Sequence, residues 1–198
     1  MKTREEWLLD LVARMRPMFA EAGYTVPEKR RISCSFPSRQ ALRGGKRTTM
    51  GQCWSPDASK DQTTEVLISP LMEDPLDVAA TVAHELLHAA LGTEVGHAGP
   101  FKRGMKAIGL VGPARSTEAG DKFRDWFRQQ PGLGRYPHAE LDARAKEKKQ
   151  GTRMLKCYCR DCGYTVRTTA KWLELGTPLC VCGAGPMAHE AVPEGEGE

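Results

Sequence analysis

Residues 74 to 92 read DPLDVAATVAHELLHAALG, and the apolar positions Val78, Ala79, Val82, Ala83, Leu86, Leu87 and Ala90 cover most of the surface that a helix would present. Such a helix has to be buried. Asp74 can cap it, Pro75 suits its first turn, Asp77 favours its positive end and Gly92 can stop it, which predicts a helix over Pro75 to Leu91. His84, Glu85 and His88 stand in the middle of this run, where unpartnered ionisable groups are costly. A coincidental pair of packed histidines would have to meet that cost unaided. Residues four apart share one helix face, so His84 and His88 can both present a ring nitrogen to one zinc ion, with Glu85 beside it. A zinc ion with three protein ligands keeps water in its open position, and a neighbouring carboxylate can take that water's proton and pass it to a leaving amine. His-Glu-x-x-His is the pattern of zinc peptidases, with Glu85 as base.

Two residues could complete the ligand set, Glu94 and His97. The metzincin spacing HExxHxxGxxH fails here, because Leu91 stands where its Gly belongs and Glu94 where its third His belongs. His97 is the stronger candidate: Gly96 and Gly99 permit a close approach, and Pro100 starts a following helix that would hang the histidine at its entrance.

Around this centre the sequence predicts an amphipathic helix from Thr3 to Ala22, with Trp7, Leu8, Leu11, Val12, Met15, Met18 and Phe19 on one face and Gly23 as its stop. Short strand-like runs follow at 31–36, 51–54 and 65–70, separated by turn-rich segments. They read as a small antiparallel sheet. Further helices are expected over Pro100 to Ile108 and Thr117 to Arg128. Glu5, Glu6 and Asp10 interrupt the apolar run that a signal peptide needs, and nowhere do eighteen apolar residues follow one another. The expectation is a cytoplasmic protein with no membrane partner.

Five of the seven cysteines, Cys157, Cys159, Cys162, Cys180 and Cys182, crowd into the last quarter. In a chain without an export signal this favours thiolate-bound metal over disulfides. Cys159 and Cys162 with Gly163 form one knuckle and Cys180 and Cys182 with Gly183 the other, leaving Cys157 as an alternative to Cys159. Four thiolates close a tetrahedral site, so this second zinc would be structural. YTVRTT reads as a strand, and AKWLEL as a strand or a short helical turn. Cys34 and Cys53 read as buried small apolar residues on strands. Between Arg144 and Lys171 nine basic residues face two acidic ones, and Arg153, Lys156, Arg160, Arg167 and Lys171 are candidate contacts to phosphates, sequence-independent in kind. Tyr136 and His138, in RYPHAEL, read as packing a turn rather than serving an oxyanion.

HELLHAAL, GHAGPF and the terminal cysteines, in that order, resemble the SprT-like, or Spartan-like, metalloprotease family. The likeness is good over about residues 65 to 110 and looser to Met187, and FPSR, GQCWS, YPHA and CGYTVRTTAKWL bring the chain nearest to phage-type members. GHAGPF departs at Ala98, where the family has Gly. The resemblance implies His84, His88 and His97 as ligands of a catalytic zinc and Glu85 as base. Its CxxCGY pattern assigns Cys159, Cys162, Cys180 and Cys182 to a structural zinc. It further implies protein substrates attached to DNA, and host cytoplasm for a phage-encoded chain. The expected fold is α+β: a zincin-like domain over 1–145, its HExxH helix packed on a small antiparallel sheet, a zinc-ribbon-like module over 152–187, and a disordered acidic tail over 188–198. The rival readings are a DNA- or partner-binding protein with two structural zincs, and a cytoplasmic peptidase indifferent to DNA.

Overall fold

The computed structural model describes residues 3–37, 49–142 and 154–189. The chain divides into two compact units, Met1–Ala145 and Lys146–Glu198. Both mix helices with small sheets.

The first unit opens with helix α1 (Arg4–Glu21). Thr3 caps it: its hydroxyl accepts the Glu6 N–H at 3.2 Å, and the Glu6 carboxylate accepts the Thr3 N–H at 2.7 Å. The face bearing Trp7, Leu8, Leu11, Val12, Met15 and Phe19 is buried at three- and four-residue steps. Strands β1 (Arg30–Cys34), β2 (Gly51–Trp54) and β3 (Thr64–Ile68) form a sheet in the order β1-β3-β2. Along β3 the alternate residues Thr64, Val66 and Ile68 are buried, which gives the sheet its core face.

The antiparallel expectation is corrected here. β2 runs antiparallel to β3, with Cys53 opposite Val66, but β1 runs parallel to it, with Ile32 opposite Val66. Alternation of apolar residues fixes which face of a strand is buried and is silent on the strand's direction. The link from β2 to β3 is short enough for a reversal, whereas β1 and β2 lie on opposite edges of β3.

Helix α2 (Pro75–Leu91) packs against β2 and β3 on one side and against helix α3 (Gly99–Ala107) on the other. One Asp74 carboxylate oxygen accepts the N–H groups of Leu76 and Asp77, both at 2.9 Å. The approach of α3 is close: a Cβ on Gly104 would lie 2.7 Å from Leu87 Cδ1. Strands β4 (Leu110–Val111) and β5 (Glu118–Ala119) pair antiparallel, and helix α4 (Asp121–Arg128) follows. The helix expected from Thr117 therefore starts four residues later. Gly120 donates its N–H to the Gly109 carbonyl at 3.0 Å, a bond that continues the β4–β5 ladder at its open end and keeps the chain extended up to the start of α4.

The second unit holds β6 (Met154–Tyr158), β7 (Thr165–Thr169), a short helix α5 (Ala170–Leu173) and β8 (Ala188–His189), in the antiparallel order β7-β6-β8. Leu155 and Cys157 point inward from β6 while Met154, Lys156 and Tyr158 are exposed. β8 reaches into the segment expected to be tail; residues 190–198 lie outside the described residues. No helix among the described residues is long and apolar enough to cross a membrane.

Removing the cap of α2 by Asp74→Ala leaves two N–H groups without their acceptor. We expect a loss of about 1 kcal/mol in denaturant unfolding at an unchanged m-value. A loss under a few tenths would show that the helix start is held by other contacts.

Candidate metal centres

Helix periodicity places His84 and His88 one turn apart on the buried side of α2, 9% and 8% exposed. The third histidine arrives by a tight reversal. Gly92 leaves the helix at φ +88°, Thr93–Val95 make one 3-10 turn, and Gly96 at φ +53° delivers His97 to the start of α3. His97 Nε2 then lies 3.2 Å from His84 Nε2 and 3.3 Å from His88 Nε2. Zinc–nitrogen bonds of about 2.0–2.1 Å at tetrahedral angles would separate the nitrogens by about 3.3 Å, so the donor set fits such an ion. Glu94 is exposed and folds back over Gly92, outside the three-histidine group.

Burial, and then the neighbouring histidines, lower His84 to about 3; burial and His97 lower His88 to about 4. His97 is lowered by burial and by the Arg115 charge. All three are thereby kept neutral, as metal ligands must be. Three ring nitrogens converging at these distances leave a position between them that suits a cation. This group could hold a metal ion.

Two further residues hold the histidines in place, and sequence reasoning missed both roles. Thr117 Oγ1 lies 2.8 Å from His84 Nδ1, which orients the ring; with Nδ1 donating, the lone pair of Nε2 faces the metal position. Phe101 lies under all three imidazoles, with centroids 4.8 Å from His84, 4.4 Å from His88 and 5.0 Å from His97. No spacing rule connects Thr117 to His84 across 33 residues, and Phe101 reads in the sequence as an apolar helix position and the end of GHAGPF, with no role toward the histidines.

Glu85 is 6% exposed. Strand β2 passes so near that a Cβ on Gly51 would fall 2.6 Å from Glu85 Oε1 and 2.7 Å from Thr81 Cγ2, so no larger residue fits there without displacing the carboxyl group. The Cys53 N–H donates to that carboxyl group, yet burial wins and raises Glu85 to about 8. The Cys53 thiol is pushed up to about 12 by burial and by Glu85. It is an inert half-buried thiol. Gly51 was legible only as part of a strand.

Tyr136 and His138 serve packing. His138 Nε2 lies 2.8 Å from the Pro70 carbonyl oxygen and Nδ1 3.4 Å from Arg4 Nη1, while the Tyr136 ring rests 4.8 Å from that of Trp7.

In the second unit Cys159, Cys162, Cys180 and Cys182 converge, with Sγ separations of 3.8 Å (159–182), 3.4 Å (162–180) and 3.2 Å (180–182). The edge of a zinc–thiolate tetrahedron is about 3.8 Å, so this group too could hold a metal ion. Each knuckle closes on a glycine: Gly163 N–H donates to the Cys159 carbonyl four residues back and Gly183 N–H to the Cys180 carbonyl three back, both at 3.1 Å, with both glycines at positive φ. Backbone N–H groups of Cys162 and Asp161 lower Cys159 to about 7, toward the thiolate. Cys157 is fully buried on β6 and stands outside the sulfur group. Lys156 and Arg167 sit opposite each other on the exposed β6–β7 face, Arg160 is in the first knuckle, and Lys171 Nζ lies 5.5 Å from the Trp172 ring centre. Arg153 lies outside the described residues.

Compared with family models, with curated proteins and with solved structures, the chain has no match in any of the three.

Thr117→Val should weaken metal binding by about 10–100-fold in competition with a chromophoric chelator. An unchanged affinity would mean that Thr117 does not orient His84. A second expectation concerns pH. The folded pKa of Glu85 lies above its ordinary 4.5, so in metal-free protein this group's stabilisation is complete below 4.5 and is lost as pH rises toward about 8. His84 and His88 act oppositely, contributing above 6.5 and losing their contribution as pH falls toward about 3 and about 4. In excess chelator the unfolding free energy of Glu85→Gln should therefore rise relative to that of wild type from about pH 5 to about pH 8, by an amount on the order of a few kcal/mol. Parallel pH profiles of the two proteins in calorimetry would rule this out.

Proposed function

We propose that the chain is a zinc-dependent endopeptidase of the SprT-like kind, acting on DNA-associated or DNA-crosslinked proteins in the cytoplasm. On this reading residues 1–145 are the peptidase domain and 152–187 a zinc-ribbon-like module. What supports it is the contrast between the two donor sets. The sulfur group supplies four ligands and closes a tetrahedron, whereas the histidine group supplies three, with a buried carboxyl group on the same helix turn. Three ligands with an open position are the mark of a catalytic rather than a structural site.

His84, His88 and His97 would hold the zinc ion, which when bound would supply a Lewis acid toward a peptide carbonyl and a water molecule. Glu85 accepts that water's proton and returns it to the departing amine. To do so it must be ionised at neutral pH, and a divalent charge next to it opposes the upward shift that burial imposes. Gly51 leaves the carboxyl group its place and the Cys53 N–H sets its direction. Thr117 and Phe101 fix the ligand rings, so the centre needs little rearrangement for reaction.

DNA association rests on the family resemblance and on Arg153, Lys156, Arg160, Arg167 and Lys171. Cations of this kind would hold phosphates without reading sequence, and less well as salt rises.

The test is digestion of a DNA-binding protein in zinc-replete buffer by wild type and by Glu85→Gln, with and without single-stranded DNA. Wild type should cleave, and more so with DNA. Glu85→Gln should retain its metal and lose activity by about 10²-fold or more. Cleavage at the native rate by Glu85→Gln would refute the role of Glu85, and cleavage indifferent to DNA would remove the nucleic-acid part alone.

A further inference from the structure

Beside His97 the first unit has an open cleft of about 450 Å³. Val95, Ala98, Pro113 and Ala114 make apolar walls, and its two charged lining residues are Lys102 of α3 and Arg115 of the β4–β5 loop. Both cations are exposed, and neither is in an ion pair among the described residues.

Each cation is anchored to the histidine group by a neighbour in sequence. Lys102 follows Phe101, whose ring underlies all three imidazoles. Arg115 sits in a turn closed by the Ser116 N–H to the Pro113 carbonyl at 2.8 Å, and two residues later Thr117 reaches His84. Their backbones are thus held in a set relation to the metal position rather than scattered over a solvated face. Among the described residues, no acidic side chain lines the cleft. Three neutral imidazoles and the one carboxylate of Glu85 would leave the charge of a bound divalent ion only partly compensated, so the field here favours an anionic ligand. Apolar walls beside a metal ligand suit a side chain or chain end of a peptide better than a phosphodiester, which runs along a surface groove. The guanidinium of Arg115 matches a carboxylate in shape and donor spacing.

We propose that this cleft is a substrate subsite for a peptide carboxylate near the scissile bond, either an acidic side chain or the chain's own C-terminus. The proposal rests on the peptidase reading and adds to it a substrate class.

The test uses the full chain in zinc-replete buffer. Peptides cut by wild type are first identified by mass spectrometry from a mixed peptide pool. Each position around the cleaved bond is then varied among Glu, Gln and Lys, with the C-terminus free or amidated. Glu should exceed Gln by about tenfold in kcat/KM at one position, as a charge-assisted hydrogen bond gives; if instead amidation causes the loss, the carboxylate is the C-terminal one. The Glu-to-Gln ratio, or the free-to-amidated ratio, should fall toward one in Lys102→Gln/Arg115→Gln and partway in each single variant, with metal content unchanged. In Lys102→Glu/Arg115→Glu the preference should turn to Lys. Equal cleavage of all wild-type peptides, or a preference that survives loss of both cations, overturns the subsite and leaves the peptidase standing. The subsite is likewise overturned if the variants lose retention on single-stranded DNA with peptide preference intact. No cleavage of any peptide by metal-loaded wild type overturns both.

Discussion

Two histidines and a glutamate are buried in the middle of α2, a helix otherwise clothed in Val, Ala and Leu. Much of the first unit can be understood as the answer to that placement. The apolar residues draw the helix into the core, against β2, β3 and α3, and the ionisable groups go with it. Desolvation then keeps the imidazoles neutral and drives the carboxyl group upward. A core that accepts such groups has to supply partners for them. Here the partners are the third imidazole, a threonine hydroxyl, one backbone N–H and the position between three ring nitrogens.

These partners come from segments far apart in the chain, each shaped to come close. Gly51 lets β2 pass over Glu85 where a methyl group would collide with it. The reversal through Gly92 and Gly96 brings His97 back over α2 within nine residues of His88. The same turn leads into α3, so Phe101 slides under the rings, and the β4–β5 loop closes the far side with Thr117. Metal position, carboxyl group and cleft are then properties of one packed layer.

The second unit solves a different problem. Its buried apolar set among the described residues is small, Leu155, Cys157, Cys159, Cys180 and Met187, with Val166 and Leu173 packed against the cysteines. Units of this size commonly need a cross-link or a metal to fold. Two glycine-closed turns bring four sulfurs within 4.8 Å of one another, beside a three-stranded sheet. Cys157 on β6 fills the core, while Cys159, just past the end of that strand, faces the other sulfurs.

What was legible from the amino-acid order alone is what depends on local periodicity. The limits of α2 followed from Asp74, Pro75 and Gly92, the shared face of His84 and His88 from a four-residue step, and the knuckles from cysteines placed next to glycines. The parallel course of β1 was not legible, because alternation encodes the face of a strand and not its direction. Nor was the late start of α4, which a hydrogen bond between Gly120 and Gly109 decides. Gly51, Thr117 and Arg115 have no spacing relation to the histidines, and the step from His97 to Phe101 and Lys102 does not say what those side chains face; only packing brings them there. Local order thus determined which side chains could share a helix face or a turn, since that is a matter of rise and rotation per residue. Tertiary structure alone decided which distant residues complete their surroundings, since those contacts follow from how buried surfaces fit.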